Sequence, residues 1–251
     1  IPVRMELGRK IRSFFTPQSE DDSLVDADYS QIELRVLSHI SGDENMIDSF
    51  KKGIDIHKVT ASQVFDVPIE KVDDTMRTRA KAVNFGIVYG ISEFGLAKNI
   101  SLSRKEAKQY IDTYLEKYNK IHDFMENIVK EATESGYVTT IFGRRRYIPE
   151  LKQKNKNIVQ FGKRVSMNTP IQGSSADIIK LAMNKVYRLL KEKKLNSKLI
   201  MQVHDELIIE ASASEIDEVS KILKDTMENI VKLKVPLCVD LNVGKSWYDA
   251  K

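Results

Sequence analysis

Acidic side chains stand near the ends of apolar strands that the sequence predicts. Asp26 and Asp28 share one face of a strand, because side chains alternate between the two sides of a strand. Asp205 and Glu206 lie in a short turn between two further apolar runs. Each acid taken alone is also typical of a turn or a helix N-cap. If the strands pair in one sheet, the carboxylates gather at one end of it.

Such a cluster of carboxylates would be costly without a partner. Two carboxylates about 4 Å apart repel by roughly 4 kcal/mol at an effective dielectric constant of about 20. A divalent cation is the commonest compensation. Oxygen ligands favour Mg²⁺, which binds through one or two carboxylates together with substrate phosphates. Two such ions can hold the attacking and leaving oxygens of a phosphoryl displacement.

A second set of residues forms a stripe along a predicted helix that begins near Asp74. The stripe recurs at every fourth position: Arg77, Lys81, Phe85 and Tyr89. It spans about 120° of the helix surface. A separate apolar arc suits the core: Met76, Ala80, Val83 and Ile87. The cations suit phosphates and the aromatic rings suit a base, although a solvated helix face is the alternative. Gly86 and Gly90 would let another backbone or a ligand approach closely.

Charge along the chain is uneven although the net charge is only +4. The segment from Tyr137 to Arg164 carries eight Lys or Arg residues and one acid, Glu150. It is either a solvated basic loop or a surface for a phosphate backbone. Cys238 is the single cysteine, so no intramolecular disulfide can form, and the cytosol is the expected compartment. The sequence has no apolar run long enough for a membrane span, and its first residue, Ile1, suggests a fragment.

The elements that would position these residues indicate an α+β fold, with long helices around a small sheet. Capping-box spacing at Ser103 and Glu106 marks the start of one helix. The predicted elements are a strand at Leu24–Tyr29, a helix at Ile32–Ile40, helices from Asp74 and from Ser103 (with a break) to Gly136, a helix at Ser175–Lys194 after a turn at Gly173, a hairpin of Leu199–Val203 and Leu207–Glu210, a helix at Ser214–Lys232 and a strand at Leu237–Val243.

Three motifs in this order resemble motifs A, B and C of family A DNA polymerases. They are Asp28 to Arg35, the Arg-x3-Lys-x3-Phe-Gly-x2-Tyr-Gly run from Arg77 to Gly90, and Val203 to Glu206. Four further segments also resemble the family: residues 1–4, 53–57, 143–146 and 170–173. The resemblance covers essentially the whole chain. It implies a palm at residues 1–40 and about 160–251 and fingers at about 41–159, with the thumb absent from this fragment.

The resemblance also implies roles for individual residues. Asp28 and Asp205 match the palm aspartates that bind two Mg²⁺ ions, with the carbonyl oxygen of Tyr29 as a further ligand and Glu206 as an accessory carboxylate. Residues matched to the incoming deoxynucleoside triphosphate are Gln31, Glu33, His57, Arg77, Lys81, Phe85 and Tyr89. Among these, Glu33 is the expected steric gate against a ribose 2′-hydroxyl. Residues matched to the primer-template DNA are Arg164, Asn168, Gln172 and His204.

Other interpretations remain for several of these residues. His57 could be a packed or an exposed histidine, and Arg164, Asn168 and Gln172 could form a solvated helix face. Asp26 stands where the family has a small residue, so we expect it to contact solvent or a polar neighbour rather than a metal ion.

The expected function is template-directed addition of deoxynucleotides to a primer 3′-OH, in DNA replication or repair, by a cytoplasmic monomer. One alternative is a non-catalytic nucleic-acid-binding fragment. Another is a single-subunit RNA polymerase, which shares the two-aspartate arrangement. Glu33 and the run from Phe85 to Gly90 favour the DNA enzyme.

Overall fold

The computed structural model describes residues 6–251, which form two compact units. The first unit contains the described residues up to Ile32 together with Ala176–Lys232 and Leu237–Lys251. The second contains Glu33–Ser175 and Leu233–Pro236. Within residues 6–251, no helix combines the length and the apolar character that crossing a membrane requires.

The fold is α+β, as predicted, with many helices, a four-stranded sheet and a separate two-stranded hairpin. The helices are α1 Glu6–Ile11, α2 Ile32–Ser41, α3 Glu44–Lys51, α4 Ile56–Phe65, α5 Asp74–Val88, α6 Glu93–Ile100, α7 Arg104–Lys117, α8 Asn119–Ser135, α9 Lys156–Glu192 and α10 Ile216–Asn229. The strands are β1 Ser23–Tyr29, β2 Tyr137–Thr139, β3 Arg145–Tyr147, β4 Lys198–Val203, β5 Glu206–Ala211 and β6 Val239–Gly244.

The sheet of the first unit has the strand order β4-β5-β1-β6, and every neighbouring pair is antiparallel. Its register places Asp28 opposite Glu206 on β5 and opposite Asp240 on β6. The pairing of the acidic strands, which the sequence could only assume, is therefore confirmed. Helix α10 packs on one face of the sheet, where the Tyr29 hydroxyl donates a hydrogen bond of 2.6 Å to the carbonyl of Met227.

The other face of this sheet is covered by the last residues of the chain. Trp247 and Ala250 pack with Leu24 and Ile208 in a buried cluster. The backbone N–H of Trp247 donates to the Phe15 carbonyl at 2.9 Å. At Gly244, an added Cβ would lie 2.5 Å from the backbone nitrogen of Ala250. The chain after β6 can therefore turn back this closely only because position 244 lacks a side chain.

Several helices of the second unit begin at polar N-cap residues, whose side chains accept hydrogen bonds from otherwise unpaired N–H groups. These N-caps are Asp43, Asp55, Asp73, Ser92 and Ser103. The predicted capping box of Ser103 and Glu106 is present. The predicted break falls at Tyr118, between α7 and α8, and α8 ends at Gly136, which has a φ of +84°. These features are readable from sequence because they depend on local chemistry.

A buried chain of polar groups fixes α5 against α4 and the end of α7. The Thr60 hydroxyl donates to Asn84 Oδ1 at 3.1 Å and lies 3.3 Å from the Tyr118 hydroxyl. On its other side, Asn84 Nδ2 lies 2.9 Å from His57 Nδ1. All four residues are buried. Their mutual hydrogen bonds offset the cost of removing polar atoms from water.

One predicted element was wrong. Residues before Ser175 do not form a turn at Gly173, because α9 runs without interruption from Lys156 through Pro170 and Gly173 to Glu192. The Ser174 hydroxyl hydrogen-bonds the Pro170 carbonyl inside this helix. Gly173 has a packing role instead, since an added Cβ would lie 2.8 Å from Thr140 Cγ2.

We expect Gly173→Ala to destabilise the protein by about 1–2 kcal/mol, although alanine is the better helix former. Thr140 cannot easily turn away, because its hydroxyl oxygen accepts hydrogen bonds from the N–H groups of Phe142 and Arg144. Chemical denaturation measures the loss. Thr140→Ser, which removes the clashing methyl group, should restore part of it in the double variant. A stabilising effect of Gly173→Ala would contradict the close contact.

Candidate active-site residues

The acidic residues of the first unit meet at one end of its sheet. Asp28 lies directly across from Glu206 in the β1–β5 ladder. The backbone N–H of Tyr29 donates to the carbonyl of Asp205 at 3.1 Å, which draws the β4–β5 turn to the end of β1. The side chain of Asp28 is 34% exposed, whereas that of Glu206 is only 4% exposed. The cluster therefore has one accessible and one enclosed carboxylate on adjacent strands.

Electrostatics within this cluster follow from burial and like charge. Asp26 is 2% exposed, and burial together with the neighbouring Glu206 carboxylate raises the pKa of Asp26 to about 8. Asp26 therefore has a polar neighbour, as expected, and is shielded from solvent. Burial and the negative charge of Asp28 also raise the pKa of Asp205.

Glu206 is held by two side chains from the end of the chain. The indole Nε1–H of Trp247 donates to Glu206 Oε1 at 2.5 Å. The ammonium of Lys251 donates to Glu206 Oε2 and, at 2.7 Å, to Asp28 Oδ2. Burial opposes the charge of Lys251, but its bonds to Asp28 and Glu206 outweigh burial and raise the pKa of Lys251. Neither Trp247 nor Lys251 was predicted from sequence, because nothing local marks a contact with β1 or β5.

The oxygen atoms of this cluster suit a hard cation bound jointly with a substrate. Within residues 6–251, no group of three or more His, Cys, Asp or Glu side chains is arranged as a self-sufficient metal cage. Mg²⁺ needs no such cage, because one or two carboxylates and substrate phosphates suffice. The Lys251 ammonium already bridges Asp28 and Glu206. The oxygen atoms of these two carboxylates are therefore placed to bind a positive charge without rearrangement. The residues present fit a Mg²⁺ site of this kind.

Unusual backbone conformations flank the carboxylates. His204, in the β4–β5 turn, has a φ of +53°, and Gln31, just after β1, has a φ of +55°. Non-glycine residues seldom adopt this left-handed region, and when they do it is often at functional sites. His204 is exposed and Gln31 is half-buried. Glu33, in the first turn of α2, is also half-buried.

In the second unit, the stripe on α5 has the predicted phase. Ala80, Val83 and Ile87 are at most 3% exposed, so most of the apolar arc forms core as expected. The fourth member of that arc, Met76, is half-buried. Among the stripe residues, Lys81 is exposed and Tyr89 is 44% exposed at the C-cap of α5. The stripe is thus a surface feature.

Arg77 and Phe85, the half-buried members of the stripe, have neighbours that the sequence did not predict. Arg77 Nε donates to Asp55 Oδ2 at 2.7 Å. Burial raises the pKa of Asp55, but the hydrogen bonds from Arg77 and from the first N–H groups of α4 outweigh it and lower that pKa overall. The ring of Phe85 lies 5.9 Å from the Lys81 ammonium and 5.8 Å from the His57 ring. Asp55 therefore fixes the guanidinium that begins the stripe.

His57 is a packed histidine, which was one of the alternatives left open. It is 2% exposed, and burial, reinforced by the positive charges of Lys81 and Arg77, lowers the pKa of His57 to about 4. Because Asn84 Nδ2 can only donate, His57 Nδ1 accepts, and the ring hydrogen is on Nε2. The ring is neutral at physiological pH and has one N–H to donate.

The residues matched to DNA lie on the first half of α9. Arg164 is exposed, with its guanidinium 5.9 Å from the Phe161 ring, and Gln172 is half-buried. Asn168 Nδ2 donates to the Tyr89 carbonyl at 3.3 Å. Since side chains at spacing four share a helix face, these three residues point the same way.

The two glycines of the α5 motif have different surroundings. At Gly90, an added Cβ would lie 2.9 Å from Met167 Cε and 3.5 Å from Arg164 Cα. The prediction that a backbone approaches Gly90 is therefore confirmed. The same prediction for Gly86 was wrong, because an added Cβ would meet the Ile91 side chain at 2.6 Å. Gly86 makes room for the residue that follows α5.

The basic segment contains the hairpin β2–β3, which the sequence analysis did not predict. Arg145 lies on the Tyr137 ring at 4.8 Å, and Arg144 Nη2 donates to the Gly173 carbonyl at 3.0 Å. Tyr147 is 68% exposed and Phe142 43% exposed beside these cations. A folded surface that combines exposed cations and rings suits a nucleic acid better than a solvated basic loop does.

A sequence model described as DNA polymerase family A matches residues 1–249. The chain belongs to DNA polymerase family A. Curated family A relatives that cover the whole chain include the DNA polymerase I of Bacillus subtilis, 55% identical, and that of Caldicellulosiruptor bescii, 54% identical. The chain spans 28% and 29% of the length of these two proteins.

A solved family A structure has the same fold. It is described as the POL domain of Pol1 from M. smegmatis in complex with DNA primer-template and dNTP. The chain is 41% identical to it, with a TM-score of 0.95, and the match covers 100% of this chain and 44% of that one. The α+β fold is thus the fold of a family A polymerase domain.

We expect His57 to stay neutral down to about pH 5 in the folded protein. Its pKa is lowered from 6.5 to about 4, so between these values the unfolded chain binds a proton that the folded chain does not. The stability that His57 contributes at neutral pH is therefore lost as the pH falls through this window. Histidine ring NMR titration measures the ionisation directly, with a histidine in an unstructured peptide as reference. A His57 resonance that titrates near 6.5 would contradict this burial.

Proposed function

We propose that the full-length protein is a DNA-directed DNA polymerase that adds deoxynucleotides to the 3′-OH of a primer on a DNA template. The observation that carries the proposal is the strand register, which brings Asp28, Asp205 and Glu206 to one end of a sheet in a family A chain. The M. smegmatis POL domain, described with primer-template and dNTP, supports the same partners here.

In this proposal, Asp28 and Asp205 are the carboxylates that hold two Mg²⁺ ions, with the Tyr29 carbonyl oxygen as a further ligand. Bound Mg²⁺ would activate the attacking 3′-oxygen and offset the charge that develops on the departing pyrophosphate. Glu206 is enclosed and hydrogen-bonded on both oxygens, so its role is accessory. The half-exposed Asp28 suits direct coordination better.

The stripe on α5 would bind the incoming triphosphate. Lys81 is exposed and Arg77 is oriented by Asp55, so both can present charge to phosphate oxygens. Phe85 offers a ring face for the sugar and base. The remaining proposed contacts are a neutral donor from His57, a polar side chain from Gln31 near the phosphates, Tyr89 near the template, and Glu33 as the gate against a ribose 2′-hydroxyl.

The primer-template duplex would be contacted through phosphates and through the face of α9. The basic segment between Tyr137 and Arg164 supplies the cations. Residues proposed to reach the duplex near the primer terminus are Arg164, Asn168, Gln172 and His204. Because Lys and Arg contacts to phosphates dominate such affinity, binding should weaken steeply as salt increases.

The wider assignments belong to the same proposal. The palm comprises residues 1–40 and about 160–251, and the fingers comprise about 41–159. The protein acts as a monomer in the cytoplasm, in DNA replication or repair.

Asp205→Asn in the full-length protein should reduce primer extension by at least about a thousandfold, because one carboxylate of the metal site is lost. This corresponds to about 4 kcal/mol of barrier. Duplex affinity, which depends on Lys and Arg, should change little. Glu210→Gln is the matched control, since Glu210 is a carboxylate on the same strand and face as Glu206. Near-normal extension by Asp205→Asn would disprove the metal assignment.

Lys81→Ala should raise the nucleotide concentration for half-maximal single-turnover incorporation by about tenfold, since a charge-assisted contact is lost. Arg77→Ala should act in the same direction, with an added effect from releasing Asp55. Arg79→Ala, on a different side of α5, removes the same charge and should have less than about a twofold effect. Greater sensitivity at Arg79 would show that the stripe is not the nucleotide-binding face.

A further inference from the structure

Lys251 places a positive charge inside the carboxylate cluster of the first unit. Its ammonium donates hydrogen bonds to Asp28 on β1 and to Glu206 on β5, so one cation bridges two adjacent strands. The distance to Asp28 Oδ2 is 2.7 Å. These are oxygens of the kind that a divalent cation would use. The side chain therefore occupies the place of a counter-ion among the proposed catalytic carboxylates.

The two carboxylates that Lys251 joins differ in how firmly they are held. Glu206 is 4% exposed, and its other oxygen accepts a hydrogen bond from Trp247. Asp28 is 34% exposed and Lys251 is 35% exposed, so water can replace their contact with each other. If the ammonium moves away from Asp28, the enclosed Glu206 therefore still keeps its hydrogen bond from Trp247.

The backbone that carries Lys251 is fixed, whereas its side chain is long. Trp247 and Ala250 are anchored in the buried cluster with Leu24 and Ile208. Gly244 lets the segment lie against the end of β6, with an added Cβ only 2.6 Å from the carbonyl carbon of Asp249. Four rotatable methylene groups join the ammonium to this anchor. The charge can leave Asp28 without unfolding of the segment.

We propose that Lys251 is a built-in counter-ion that competes with a divalent cation for Asp28, so that metal binding requires its ammonium to move away from that carboxylate. The inference rests on the proposed function, because it takes Asp28 as a metal ligand. Before metal binds, the ammonium offsets the repulsion between Asp28 and Glu206. When metal binds at Asp28, its charge repels the nearby Lys251 ammonium, which also occupies the Oδ2 oxygen that the metal would use. Lys251 is a positioning residue in this scheme, since it acts through the carboxylates.

The test is Mn²⁺ binding to the full-length protein without DNA or nucleotide, followed by electron paramagnetic resonance of the free ion. Lys251→Met should tighten Mn²⁺ binding at the cluster by about five- to tenfold, because the competing charge is removed. Lys224→Met, which removes an exposed lysine of α10, should leave the affinity unchanged. Mn²⁺ sites elsewhere in the full-length protein are the same in every variant, so they do not affect the comparison. Unchanged or weaker binding by Lys251→Met overturns the proposal.

Asp28→Asn separates this inference from the proposed function. If Asp28 is a ligand, Asp28→Asn weakens Mn²⁺ binding, and adding Lys251→Met to it no longer tightens binding. If Asp28→Asn leaves Mn²⁺ binding unchanged, the metal assignment fails, and the competition proposal fails with it. If Asp28→Asn weakens binding while Lys251→Met alone does not tighten it, only the competition proposal fails.

A charge-conserving variant guards against loss of folding. Circular dichroism in the absence of metal first establishes whether Lys251→Met is folded. If it is not, Lys251→Arg decides, since a guanidinium keeps the charge and can hydrogen-bond both carboxylates. Weaker Mn²⁺ binding than in the wild type then supports competition by the cation, because a guanidinium can hold both carboxylates more firmly. Equal or tighter binding by Lys251→Arg overturns it.

Discussion

Repulsion between carboxylates on adjacent strands is the constraint on which the first unit depends. The antiparallel register puts Asp28 beside Glu206, and two carboxylates about 4 Å apart repel by roughly 4 kcal/mol at an effective dielectric constant of about 20. Three features offset this cost. The buried Asp26 has a pKa near 8 and so is largely protonated at neutral pH, Trp247 donates to Glu206, and Lys251 bridges the two strands. The segment after β6 carries Trp247 and Lys251 back onto the sheet. It therefore helps to stabilise the negative charges of the cluster.

In the second unit, the polar groups buried beneath α5 are neutral. The His57 ring, the Asn84 amide and the Thr60 hydroxyl satisfy one another's hydrogen bonds. The charges of α5 stay at or near the surface, where they remain available to an anionic ligand and avoid the desolvation penalty. This neutral hydrogen-bond network holds α5 in place from below. The helix can therefore present its cations from a fixed position.

Much of the fold and part of the candidate site could be predicted from sequence, because periodicity and capping are local. Alternation along the predicted strand placed Asp26 and Asp28 on one face of β1, and spacing at every fourth residue predicted the phase of α5. The turn predicted at Gly173 failed because tertiary packing against Thr140, rather than backbone freedom, explains that glycine. The Arg77–Asp55 and Lys251–Glu206 contacts had no local signal, since they join residues that only the folded chain brings together.

The surroundings of Trp247 have a spectroscopic consequence. It is the single tryptophan of the sequence, and its indole lies against the Arg12 guanidinium at 4.2 Å and edge-on to Phe15 at 5.4 Å. Its excited-state dipole is therefore enclosed, polarised by a nearby cation and hydrogen-bonded to the carboxylate of Glu206. Tryptophan emission from this 251-residue sequence originates at the acidic end of the sheet, so the chain carries its own optical reporter of the electric field there.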